Sequence, residues 1–305
     1  MAKTFFYHLL VACLLLGSSG AYAEGCIGFI PSGGGGSFWK GVNSGAVEAG
    51  KMLGYDIYFR GPQDEDKAYI QSTLLEMVRQ RGCKAVVIAP GSADMAQAVL
   101  QLQQSGVPVI YVDRNLGGLT AAGMVSTDNY KAGQLAGEAM ARRLLGKGSV
   151  LLFRMKRGWQ TTDQRESGFT EAAVRKGLKI IDGGYLGSVY GEAFANASAG
   201  LNRYRGKFQG VFAANETTSM GVLTALIEQR LAGQVTYIGV DVTERLLEGV
   251  HSGIVEGLIV QAPHAIGYQA VQMAAAAIDK KLPANRRVVV DAVYLSKENI
   301  DAYFP

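Results

Sequence analysis

A chain of 305 residues is long enough for two domains of ordinary size and a substantial core. Its formal net charge of +4, with no dense run of Lys and Arg, argues against nucleic acid as the main partner. Hydrophobic residues at 48% and charged ones at 18% give an ordinary to slightly apolar globular balance.

Residues 1–23 read as a cleaved signal peptide. Lys3 supplies the positive start, Leu9 to Leu16 form an apolar core too short to span a bilayer, and Ala21-Tyr22-Ala23 gives the small-x-small cleavage pattern. Leu10-Val11-Ala12-Cys13 superficially resembles a lipoprotein box, but Leu14, Leu15 and Leu16 keep that cysteine inside the apolar core. The expectation is an exported soluble protein with Glu24 at its mature N-terminus, located in the periplasm. Cys26 and Cys83 remain, each opening a predicted strand. In an oxidising compartment they are either a disulfide, if the first and third strands are neighbours, or two buried thiols.

Strands and helices then alternate. Ile27 to Ile30 is a strand, followed by a glycine loop and a helix from Phe38 to Leu53. Tyr55 to Phe59 is a strand, and Ile70, Leu74, Leu75 and Val78 give helical spacing to a helix over Glu65 to Gln80. Ala85 to Ala89 is a strand, Ala93 to Gln104 a helix, Val109 to Val112 and Gly123 to Ser126 strands. The rhythm restarts with helices expected over Asn129–Leu145, Arg165–Lys176, Ala193–Tyr204 and Ser219–Gln229. Strands are expected at Val150–Phe153, from Ile180 towards Leu186, and at Val211–Ala214, Thr236–Val240 and Val255–Val260. An alanine-rich helix from Ile266 to Ile278 and one long closing strand from Arg287 to Leu295 end the chain. This alternation predicts α/β lobes with mostly parallel sheets and helices on both faces. No Ser/Pro-rich linker divides the halves, so they are expected to be joined by strand crossings.

Polar residues punctuate the apolar strands at their carboxyl ends, where open α/β sheets hold ligands. Val109 to Val112 ends on Asp113 and Arg114. A carboxylate only accepts hydrogen bonds and a guanidinium only donates them, so side by side they can grip a hydroxyl, which does both. Asn215, Asp241 and Gln261 end later strands in the same way, while Asn129 and Arg165 open helices. The run Gly33-Gly34-Gly35-Gly36 before Ser37-Phe38-Trp39 allows close backbone approach to a ligand, with Ser37 as helix N-cap. It lacks the Gly-Lys-Ser/Thr ending of a P-loop, although a helix start there could hold an anion. Phe38 and Trp39 offer flat faces suited to a sugar ring. An enzyme is not expected, since His251 and His264 lie in no nucleophile or metal motif. No cofactor or metal is expected.

Taken together, these fragments resemble the periplasmic sugar-binding proteins of the ribose-binding type. The likeness rests on Phe38-Trp39, Val112-Asp113-Arg114, Ser126-Thr127-Asp128-Asn129, Arg165-Glu166-Ser167-Gly168-Phe169, Ala214-Asn215-Glu216, Gly239-Val240-Asp241 and Val260-Gln261-Ala262-Pro263, in the family's order. The resemblance implies the type I periplasmic binding fold: two doubly wound Rossmann-like lobes with parallel sheets, joined by three hinge crossovers. These fall near Ser126-Thr127, near Gln261-Ala262 and around Val288. The N-terminal lobe would comprise residues 24–126 plus 262–288, and the C-terminal lobe residues 127–261 plus 289–305. The resemblance also implies a sugar held by Asp113, Arg114, Arg165, Asn215, Asp241 and Gln261, its faces covered by Phe38, Trp39 and either Tyr190 or Trp159. It implies delivery of a monosaccharide or polyol by a monomeric protein to an ABC permease, or alternatively ligand sensing for a membrane kinase or chemoreceptor, with an anionic or non-sugar ligand possible in that case. Departures are the glycines at 33–36 and Ile88-Ala89-Pro90-Gly91, where the family often has Asn; both remove polar contacts, so the ligand need not be ribose. Asp113 and Asp241 against Arg114 and Arg165 make a balanced site, which suits a neutral ligand. A DNA-binding regulator of the related repressor type is excluded by the signal peptide standing where the headpiece would be.

Overall fold

The computed structural model describes residues 25–304, so the expected signal peptide lies outside the described residues. The first half runs β1 (Gly25–Ile30), α1 (Ser37–Leu53), β2 (Tyr55–Phe59), α2 (Ile70–Gln80), β3 (Ala85–Ile88), α3 (Met95–Gln104), β4 (Val109–Val112) and β5 (Gly123–Thr127). The second runs α4 (Asn129–Arg143), β6 (Ser149–Arg154), α5 (Gln160–Arg175), β7 (Lys179–Tyr185), α6 (Tyr190–Arg203), β8 (Gly210–Ala213), α7 (Glu216–Glu228), β9 (Thr236–Val240), α8 (Glu244–Ser252) and β10 (Gly257–Val260). The chain ends with α9 (Pro263–Ile278), β11 (Arg287–Val290), β12 (Val293–Ser296) and α10 (Ile300–Tyr303).

Two six-stranded sheets result, ordered β11-β5-β4-β3-β1-β2 and β12-β10-β9-β8-β6-β7. Every pairing is parallel except that of β12 with β10. Central strands β3, β4, β8 and β10 are buried along their whole length, which is why they read as unbroken apolar runs. Each sheet carries apolar clusters on both faces, for example Phe29, Ile110 and Ile266 on one side of the first and Leu75, Val99 and Tyr111 on the other.

The helices beside the cleft approach closely because glycines meet backbone. A Cβ at Gly45 would fall 1.9 Å from the His264 carbonyl, locking α1 to α9, and one at Gly133 would fall 2.0 Å from the Arg165 carbonyl, locking α4 to α5. Cys26 and Cys83 are joined as a disulfide, because β1 lies next to β3 and the start of each is at the same end.

The structure differs from the sequence reading in several places, among them starts three residues early for α6, at Tyr190, and α7, at Glu216. The helix expected from Glu65 starts at Ile70, after a single 3-10 turn over Glu65–Lys67 that turns Glu65 towards the cleft. Helix α5 starts at Gln160, five residues before Arg165, so Arg165 lies one turn inside it. Helix α8 was not expected, although Thr243 caps it and Gly253 ends it with a φ of 79°. Ser37 is the first helical residue and not the cap; the N-cap is Gly36. The closing strand is two strands, so Val288 lies inside β11 and the chain changes sheets at Asp291-Ala292.

Candidate functional site

The carboxyl ends of both sheets meet at one cavity of about 310 Å³. All nine residues singled out from the sequence line it: Phe38, Trp39, Asp113 and Arg114 from the first sheet's side, and Arg165, Tyr190, Asn215, Asp241 and Gln261 from the second.

Asp113 and Asp241 end β4 and β9 by the same device. Each has a left-handed backbone, with φ of 62° and 70°, and each donates its N–H to the neighbouring strand, to Val125 at 2.9 Å and Ile259 at 2.8 Å. Asp is among the few residues other than Gly that adopt this conformation at modest cost. Arg114 donates through Nε to Asp113 Oδ2 at 3.1 Å and through Nη2 to Glu65 Oε1 at 3.3 Å. Its guanidinium lies 4.2 Å from the ring centre of Trp159, which belongs to the other lobe. Nη1 of Arg114 is buried without a hydrogen-bond partner among the described residues, a donor left for an acceptor in the cavity.

On the opposite wall, Arg165 donates through Nε to Asn129 Oδ1 at 2.8 Å and through Nη1 to the Ala214 carbonyl at 3.0 Å. Asn215 caps α7: its Oδ1 accepts from the Thr218 N–H at 3.1 Å, and its own N–H donates to Thr218 Oγ1 at 3.2 Å. With Oδ1 turned to the helix, the Asn215 amide presents its NH₂ as the remaining polar group. Gln261 bridges two crossings. Its Oε1 accepts from Thr127 Oγ1 at 2.7 Å and its Nε2 donates to Asp241 Oδ1 at 2.7 Å, so the amide orients Asp241 from the hinge. Burial pushes the Asp241 carboxyl above its usual range, against the pull of nearby Arg165 and the Gln261 hydrogen bond.

Of the aromatic residues, Trp39 is 5% exposed and points Nε1 at Glu65 Oε1, 3.4 Å away, with Phe38 edge-on to it at 5.0 Å. Tyr190 lines the cavity at its rim, with its hydroxyl 2.9 Å from Thr224 Oγ1. Trp159, the alternative considered from the sequence, instead backs Arg114 and is not among the cavity-lining residues.

Several lining residues were missed. Glu65 accepts from Ser32 Oγ at 2.9 Å as well as from Trp39 and Arg114, and Glu216 reaches across the cleft to α1. Thr161, Thr162 and Ser188 add hydroxyls. The balance of two carboxylates and two guanidiniums is therefore corrected to five carboxylates, Asp64, Glu65, Asp113, Glu216 and Asp241, against Arg114 and Arg165. The additions bring their own partners, since Glu65 shares Arg114, Asp64 pairs with Lys67 at 3.0 Å, and Glu216 takes backbone N–H groups. Among the described residues no cluster of His, Cys, Asp or Glu could hold a metal ion.

The periplasmic binding protein domain family matches residues 27–282. The ribose import binding protein of Haemophilus influenzae is 24% identical over 92% of this chain and 97% of its own length. Among solved structures, the periplasmic component of an ABC-type sugar transport system from Hahella chejuensis is 31% identical, with a TM-score of 0.83 over 88% of this chain and 99% of that one. An ABC transporter solute-binding protein from Agrobacterium vitis with bound D-fucose is 27% identical, with a TM-score of 0.84 over 90% and 96%. With the fold, the cavity and a match across nearly all the described residues in agreement, this chain belongs to the periplasmic binding protein family.

Proposed function

We propose that this protein captures a monosaccharide or polyol between its two lobes by hinge closure and hands it to an ABC permease. The observation that carries the reading is the cavity between the sheets, where Asp113 and Arg114 face Arg165, Asn215 and Asp241. Fixed acceptors and fixed donors converge there from opposite sides, and a hydroxyl can answer both. A volume of about 310 Å³ lies at the small end of ligand pockets, fitting one sugar ring better than an oligosaccharide. Partnered charges on the walls favour a neutral ligand. Phe38, Trp39 and Tyr190 would meet its C–H faces, with Gln261 orienting Asp241. The names of the relatives, sugar import and sugar transport proteins, support transport over sensing and binding over turnover.

We take the lobe boundaries to be the passages between sheets at residues 127–128, 261–262 and 291–292, with a monomer as the working unit and the periplasm as its compartment. A thermal-shift screen of residues 24–305 against monosaccharides, polyols and small anions tests the reading. A ligand that binds only the folded state raises the melting temperature. A shift with one sugar or polyol is expected. A shift with anions alone would remove the neutral-ligand reading.

A further inference from the structure

Helix α1 begins without a cap of its own. Its N-cap is Gly36, which has no side chain, and there is no acidic residue in its first turn. The first N–H groups of a helix have no intrahelical partner and carry partial positive charge. Here they are taken by a residue of the other lobe. The Ser37 N–H donates to Glu216 Oε1 at 3.0 Å and the Phe38 N–H to Glu216 Oε2 at 2.9 Å. Glu216 is itself held at the start of α7, where its own N–H donates to Asp241 Oδ2 at 3.2 Å.

We propose that Glu216 is an inter-lobe latch: its carboxylate takes the anion place at the N-terminus of α1, holds the cleft closed and turns anionic ligands away. This rests on the reading of the protein as a hinge-closing sugar binder and deepens it. The glycine loop supports the assignment. A Cβ at Gly36 would lie 3.0 Å from Glu216 Oε1, and one at Gly35 would lie 3.2 Å from the Gln63 carbonyl. The run that reads in sequence as a cradle for a ligand therefore admits a carboxylate of the protein itself. Burial and the nearby Asp241 push the Glu216 carboxyl above its usual range, against the pull of the Phe38 and Ser37 N–H groups and of Lys40, one turn along α1.

A second clasp lies across the cavity and works in the opposite direction. Trp159 precedes α5, the helix that holds the place of α1 in the second lobe, and Arg114 of the first lobe stacks on its ring at 4.2 Å. Each lobe thus sends one charged side chain to the start of the matching helix of the other, Glu216 to α1 and Arg114 to α5. A ligand binding to the closed form gains whatever stability these contacts give that form. Loss of the latch should appear mainly as faster release.

The test compares wild type with Glu216→Ala, Glu216→Gln and Gly36→Ala, each checked for folding by circular dichroism. Tryptophan fluorescence serves as the closure signal, since the chain's two tryptophans, Trp39 and Trp159, sit one in each lobe beside the cleft. With D-ribose, D-allose, D-arabinose and D-fucose as probes, Glu216→Ala should weaken binding of the accepted sugar by roughly 5- to 30-fold, as expected for loss of a helix cap. The change should lie in the dissociation rate, with Gly36→Ala moving in the same direction and Glu216→Gln less. Small-angle scattering without sugar should show Glu216→Ala more open than wild type. Inorganic phosphate should raise the melting temperature of Glu216→Ala but not of wild type. Unchanged dissociation and scattering in Glu216→Ala would overturn the latch, and absence of the phosphate shift would overturn the exclusion of anions. If no sugar binds wild type, the sugar reading fails, and the scattering comparison still decides whether Glu216 holds the lobes together.

Discussion

The two lobes use the same strand order, so each strand of one has a counterpart in the other, yet they support their strand ends differently. The carbonyl just after β3, on Ala89, accepts from Gln71 Nε2 at 2.8 Å; the carbonyl just after β8, on Ala214, accepts from Arg165 at 3.0 Å. Gln71 is fully buried and also binds the Pro31 carbonyl at 2.9 Å and the Gly91 N–H at 2.8 Å, so one neutral amide ties together the loops after β1 and β3. Arg165 does the equivalent work in the second lobe while also lining the cavity. Support of the strand ends and lining of the cavity fall to different residues in the first lobe and to one residue, Arg165, in the second. A variant in the second lobe will therefore tend to change stability and binding together, whereas the first lobe lets them be altered one at a time.

The largest expected effect is on binding at the second lobe. Asp241→Ala leaves Gln261 and the Glu216 N–H without their acceptor, and should weaken the accepted sugar by roughly 2–5 kcal/mol, enough to abolish micromolar binding. Calorimetry showing unchanged affinity would remove Asp241 from the site. Next comes the Cys26–Cys83 disulfide, which spans a sequence separation of 57 and belongs to the first lobe alone. Replacing both cysteines with alanine should cost up to about 4 kcal/mol by chain entropy. Urea unfolding should then split into two transitions, the first lobe melting earlier; a single transition at the wild-type midpoint would count against it.

Gln71→Leu strands two carbonyls and one N–H in the interior and should cost roughly 2–4 kcal/mol of stability. Sugar affinity should stay unchanged at temperatures where the variant is folded, the separation expected of the first lobe. A matching loss of affinity would show that the two functions are merged there as well.

Last comes a pH slope at Glu166, in the second lobe, 1% exposed and accepting from the Met155 N–H at 3.4 Å. Burial pushes its carboxyl up to about 7, although Arg154 Nη1 donates to it at 2.8 Å. The folded state then holds a proton that the unfolded chain releases above its ordinary value near 4.5. This group's contribution is therefore present at low pH and lost as pH rises through about 7. Glu166→Gln should flatten that part of the stability profile, and equal slopes in the two proteins would contradict the assignment.

What could be read in the sequence, and what could not, follows the range of the interactions. Asp113, Asn215, Asp241 and Gln261 were visible because each breaks a short apolar run, and the parallel-sheet topology then brings such breaks to one edge. Arg165 was visible as a cation near a helix start. Glu65 and Glu216 were not, since an acidic residue in the first turn of a helix is adequately explained by that helix's own dipole. Their partners lie 26 to 179 residues away. The break in the closing strand gave no local sign either, because Arg287 to Leu295 contains neither Gly nor Pro and each half finds a sheet. Helix α8 was legible in Thr243 and Gly253 and was overlooked.

The path of α9 has a consequence for how the molecule is made. Ile266, Ala270 and Val271 of this helix are fully buried in the first lobe, against Val42 and Ala46 of α1, and β11 completes that lobe's sheet beside β5. The half of the protein that is synthesised first is therefore finished last, from residues beyond 262. Until they arrive, α1 alone covers that face of the sheet, through Trp39, Val42, Ala46 and Ala49, and the share that α9 closes over stays bare. A chain built this way keeps its first lobe incomplete until most of its length has been synthesised.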